Sequence, residues 1–237
     1  MTRLSFVALA CMCVVVSVQA QVSVPIENIE VSSSYSSGGH CDKWNLTNDN
    51  LGGGGSTANG VVWDTWGVIR DDNGVVHPNS DKAPWIAFYF GGEYILDEMM
   101  IWNYLRGWES GRGVRDTIVL VSTDTGEDWL NYTFTPLLGQ DPDNAPGVYR
   151  FDSSSELSPE VVQTIGLGGV PATAVKFQIL SNWSGTVFGP DMPSELYWSS
   201  NTIAGLRKVV FNGTPVPEPT TMTLLAMGGL ALLRRRR

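Results

Sequence analysis

Residues 84–129 hold three apolar runs separated by turn residues, and no other stretch restricts the possible folds as tightly. In the first run Ile86, Phe88 and Phe90 alternate with Trp85, Ala87 and Tyr89. A period of two places the first set on one face of a strand and the second on the other. Gly91 and Gly92 stop this run, and a second extends from Ile95 to Tyr104. After a Gly- and Arg-rich loop, 106–114, the third covers Thr117–Ser122. Asp124-Thr125-Gly126-Glu127 then has turn composition, and Trp129 is expected to open the return strand.

The remaining chain carries the same signal. Val22, Val24, Ile26, Ile29 and Val31 read as an early edge strand, and Tyr149–Phe151, Thr164–Ile165, Val175–Leu180 and Val209–Phe211 as later ones. With 26 glycines and 13 prolines among β-branched and aromatic residues, many short strands are favoured over helices. A content of 43% hydrophobic residues, 10% of the chain being aromatic, fills one core without disulfides, and 237 residues suit one all-β domain with processing segments.

Residues 1–20 read as a signal peptide: Arg3 gives the positive start, 4–18 the apolar segment, and Val18-Gln19-Ala20 the small-residue cleavage site. Cys11 and Cys13 leave with it, so Cys41 alone remains and no internal disulfide forms. Without Arg3, Glu218 and the terminal arginines, 10 basic residues face 23 acidic ones, a net charge of −13. That balance repels phosphates and argues against nucleic acid as a partner.

Three motifs, W-I-x-F-x-F-G-G at 85–92, R-G-V at 112–114 and S-x-D-x-G-x-x-W at 122–129, resemble the discoidin or factor V/VIII type C family in kind and order. The resemblance implies an all-β, jelly-roll-like, galactose-binding-like sandwich over 21–214, acting as a monomer. It also implies ligand binding by loops at one end. Exposed aromatics beside Arg and His suit sugar faces and hydroxyls, which makes Trp66, Arg70, His77, Trp108, Arg112, Tyr197 and Trp198 the candidate ligand-binding residues. Ordinary burial is the alternative for each aromatic. Many relatives hold a structural calcium in an early loop, for which Asn48, Asp49 and Asn50 are the candidates here; an Asx turn without metal is the alternative. Where relatives place a closing carboxylate, this chain has Lys208, whose ammonium cannot ligate a cation.

At the other terminus Pro217-Glu218-Pro219 precedes an apolar run, 220–233, and Arg234-Arg235-Arg236-Arg237. This order resembles the PEP-CTERM sorting signal. The resemblance implies recognition of 215–237 by an exosortase-type membrane protease, transient anchoring by a short apolar helix, and delivery to the surface or matrix of a Gram-negative bacterium. The G-x-S-x-G, H-E-x-x-H, phosphate-loop and Cys-x-x-Cys motifs are absent, and the histidines are His40 and His77. A noncatalytic polysaccharide-binding module is therefore expected, with a structural matrix protein or a glycan-active enzyme as the alternatives.

Overall fold

A computed structural model describes residues 21–32, 46–47, 63–64, 83–104, 111–138, 147–152, 162–189 and 204–217. Among them lie nine strands: β1 (Val22–Ser23), β2 (Ile26–Val31), β3 (Trp63–Asp64), β4 (Trp85–Asn103), β5 (Asp116–Ser122), β6 (Thr135–Pro136), β7 (Val148–Arg150), β8 (Gln163–Ile179) and β9 (Gly205–Pro215). All pair antiparallel. The expectation of an all-β chain holds.

The two runs expected on either side of Gly91-Gly92 are one strand of 19 residues. The glycines bend it rather than stop it. β4 pairs with β8 from Trp85 to Tyr89 against Gln178 to Ala174, shifts register, and resumes from Tyr94 to Ile101 against Ala172 to Gln163. On β8 the residue opposite this shift is Thr173, between Ala172 and Ala174; Gly168 and Gly169, with φ values of 76° and 73° where a side chain would be strained, face a second shift between Leu96 and Glu98. Thr164–Ile165 and Val175–Leu180, expected as separate strands, are likewise the two arms of β8.

Each arm of the ribbon belongs to a different layer. The first arm of β4 and the second arm of β8 lie between β2 and β5, with β6 and β7 both paired to β5. The second arm of β4 pairs with β9, which carries β1 and β3 along its other edge. Phe211 of β9 joins the layers. Its fully buried ring lies 5.3 Å from Phe88, 5.3 Å from Phe90 and 6.3 Å from Phe177, all on the facing layer, and two of these contacts are edge-to-face. The alternation read at Ile86, Phe88 and Phe90 is thus the inner face of a sandwich.

The other face of the first layer is covered as well. Tyr89 stacks on Trp129 at 5.5 Å and meets Tyr132 and Phe134 edge-on, while the Lys176 ammonium sits 4.2 Å from the centre of the Trp85 ring. Trp129 does not open a strand, contrary to the sequence expectation. Trp129–Asn131 is a single 3-10 turn, and the return strand β6 starts at Thr135. Stacking of Trp129 on Tyr89 holds the intervening chain flat against the sheet, where it cannot join the ladder.

Two outcomes follow from this packing. Phe211→Ala removes the ring that bridges the layers and is expected to cost about 3–5 kcal/mol in urea unfolding, with Phe211→Leu recovering part of that loss. The Tyr89 phenol is pushed up to about 12, first by burial and then by the Glu30 and Tyr132 charges. Its folded form thus holds the proton more tightly than the unfolded chain, and stability present below pH ~10 is lost as pH rises toward ~12. Urea midpoints measured across that window should fall less steeply in Tyr89→Phe.

Candidate functional site

Bending the ribbon brings its four ends to one end of the sandwich. β9 begins there: Gly205 and Leu206 pair with Asp64 and Trp63, and Gly205 also bridges Gly113. Trp183 and Ser184 donate backbone N–H bonds to the carbonyls of Gly113 and Gly111, at 3.0 and 2.7 Å. The chain departs from this end at Ser32, Tyr104, Asp152 and Gly189 and returns at Ala83, Gly111, Val162 and Ala204. Four excursions of the chain are therefore rooted side by side on a rigid base.

Two polar anchors tie this base together. Asn103, buried at the end of β4, donates through Nδ2 to the carbonyls of Val114 (2.6 Å) and Asp152 (2.8 Å) and accepts the Tyr104 N–H at Oδ1 (2.8 Å). One amide thus fixes the roots of two excursions. The Asp116 carboxylate accepts from Ser181 Oγ at 2.6 Å, Arg115 Nε at 2.8 Å and Arg150 Nε at 3.0 Å, joining β5, β7 and the end of β8. Burial pushes the Asp116 carboxyl up, but the bonds from Ser181, Arg150 and Arg115 outweigh it and hold the group below its ordinary range. Neither anchor was singled out from sequence. Asn103 interrupts an apolar run at its end, and that interruption was the available signal.

Of the residues expected to bind ligand, Arg112 is described. It lies half-buried in the turn between Gly111 and Gly113, at the loop-bearing end. Trp66, Arg70, His77, Trp108, Tyr197 and Trp198 lie outside the described residues.

Asn48, Asp49 and Asn50 also lie outside the described residues, but their neighbour Thr47 is placed. Thr47 lines a cleft of about 220 Å³ with Ser23, Val24, Ile26, Lys208, Val209 and Val210. Lys208 is nearly buried, with its ammonium 5.2 Å from the centre of the Trp102 ring. The described part of this lining carries a fixed positive group and no carboxylate. Among the described residues there is no cluster of three or more His, Cys, Asp or Glu side chains able to hold a metal.

The last described residues, 215–217, stand at the opposite end. Pro217 is exposed, and Glu218, Pro219 and Arg234 to Arg237 lie outside the described residues, as does the expected apolar helix. No helix among the described residues is long and apolar enough to cross a membrane. β9 ends where it pairs with the bend, Pro215 opposite Tyr94, and the Val216 N–H bonds the Glu93 carbonyl at 2.8 Å. Eleven residues of strand at about 3.3 Å each separate the two ends by roughly 30 Å.

Several solved structures resemble the chain. A family 32 carbohydrate-binding module from C. perfringens in complex with galactose is 12% identical, with a TM-score of 0.46 over 81% of this chain and 99% of that one. The C-terminal domain of a chitobiase from Bacteroides fragilis is 14% identical, with a TM-score of 0.49 over 83% and 100%. A truncated protein with family 32 carbohydrate-binding and alginate lyase domains is 13% identical, with a TM-score of 0.44 over 85% of this chain; the match spans 35% of that protein. No curated protein matches the chain. Residues 215–237 match the PEP-CTERM protein-sorting motif, and the chain therefore carries a PEP-CTERM sorting signal that starts on the last residue of β9.

Proposed function

We propose that the chain is an exported, noncatalytic binding module for polysaccharide, delivered to the cell surface or matrix after a signal peptide at 1–20 is removed and an exosortase-type protease acts on its tail. The ligand is held by the loop-bearing end of the sandwich. The observation that supports this most is topological. Arg112 stands at that end, and so do the described residues that flank the other six candidates in the chain: Asp64 and Ala83, Tyr104 and Gly111, Gly189 and Ala204. Aromatic faces cover the apolar faces of sugar rings while guanidinium donors bond hydroxyl and carboxylate oxygens, and a rigid base fixes their spacing. Asn103 and Asp116 supply that rigidity.

The position of the tail agrees with this use. A tether at the opposite end leaves the loops facing away from the membrane, open to a long polymer. Lys208 takes the place of a metal in this reading, supplying positive charge beside the loop that follows Thr47.

The exported chain is expected to be retained by at least one member of a panel of neutral and acidic polysaccharides. Arg112→Ala should weaken that retention about tenfold, the loss of one charge-assisted hydrogen bond, without changing the urea midpoint. Retention by no member of the panel would favour a matrix component without a ligand. Thermal melts in calcium and in chelator are expected to coincide; a Tm that drops on chelation would place an ion with Asn48, Asp49 and Asn50 despite Lys208.

A further inference from the structure

The sorting signal and the fold share residues. The matched segment starts at Pro215, which still pairs with Tyr94 in the sheet, and Val216 remains bonded to Glu93. Beyond Val216 the chain needs two residues to reach Glu218, at most about 7 Å of extended backbone. A protease holds its substrate as extended chain over several residues, with backbone groups free to pair with the enzyme. Pro215 and Val216 cannot serve that purpose while they are paired within the sandwich.

The end of β9 is built to be released. Pro215 has no N–H, so one rung of the ladder lacks its donor. Two residues earlier, a Cβ on Gly213 would stand 2.5 Å from the Ile95 carbonyl oxygen, so the two backbones touch there without a side chain between them. Gly213 pairs on both sides, with Val22 and Leu96, whereas Thr214 and Pro215 pair only with Ile95 and Tyr94, so the strand is held along one edge before the Val216 bond to Glu93 closes it.

We propose that Gly213–Val216 and the facing Glu93–Leu96 form a latch, and that the sorting protease acts only on chains in which the end of β9 has peeled from the sheet. The rate of tail removal is then set by the fraction of open latch, as for any cleavage that is slow beside local opening and closing. Processing thereby reports on folding at the bend: a correctly closed sandwich is processed slowly and evenly, and a frayed one quickly. This inference rests on the sorting reading of residues 215–237.

The test uses the full chain in cells that process it, following conversion of precursor to mature protein by pulse-chase and mass spectrometry. Inserting eight Gly and Ser residues between Val216 and Pro217 leaves the latch intact but frees the motif from it, and is expected to raise the conversion rate about fivefold. Val216→Pro, which removes the N–H donated to Glu93, should raise it in the same direction by a smaller factor. Conversion of the spacer variant at the wild-type rate would overturn the latch while leaving the sorting reading standing. Conversion of neither wild type nor spacer variant would overturn the sorting reading, and the latch with it.

Discussion

The folding of one antiparallel ribbon across its own middle is the constraint from which the rest of the molecule follows. β4 changes layer at Gly91-Gly92 and β8 at the facing Thr173, so two strands supply parts of both layers. The layers are held face to face by Phe211 against Phe88, Phe90 and Phe177. A ribbon bent in half has all four ends together, and this alone decides where the loops of the domain collect.

Much of the scaffold was legible from sequence because alternation is a local property. Ile86, Phe88 and Phe90 announce their face within six residues, and the motif order from Trp85 to Trp129 announces a family of sandwiches. What escaped was decided by distant partners. Gly91-Gly92 reads the same whether a strand ends or bends, since the difference lies in whether β8 bends with it. Trp129 carries a strong strand preference, and stacking on Tyr89, 40 residues away, overrides it. The functional end was legible in residue type but not in arrangement. Arg112 was chosen for its chemistry, whereas the residues that fix its surroundings, Asn103 and Asp116, have roles visible only once Val114, Asp152, Arg150 and Ser181 are placed around them.

Net charge was read as a single quantity, and the fold shows that it is divided. Among the described residues the guanidinium groups of Arg112, Arg115, Arg150 and Arg207 all belong to the loop-bearing end. Arg115 and Arg150 are both paired with the Asp116 carboxylate and Arg207 is buried, so most of this positive charge is answered within the protein and ties the base together.

At the bend, where the tail departs, the described titratable side chains are of one sign. Glu27 lies on the bulge facing Gly91, Glu93 beside Val216, and Asp124, Glu127 and Asp128 in the turn after β5, whose Asp124 carbonyl accepts from Thr173 opposite the corner. An anionic lipid surface pushes such a face away over about 8 Å at physiological ionic strength, roughly the reach of the chain between Val216 and Glu218. Under the sorting reading proposed above, a tail that is attached would hold the domain against this push, and a tail that is cut would leave the same carboxylates to keep the domain from settling back, so that departure would run in one direction.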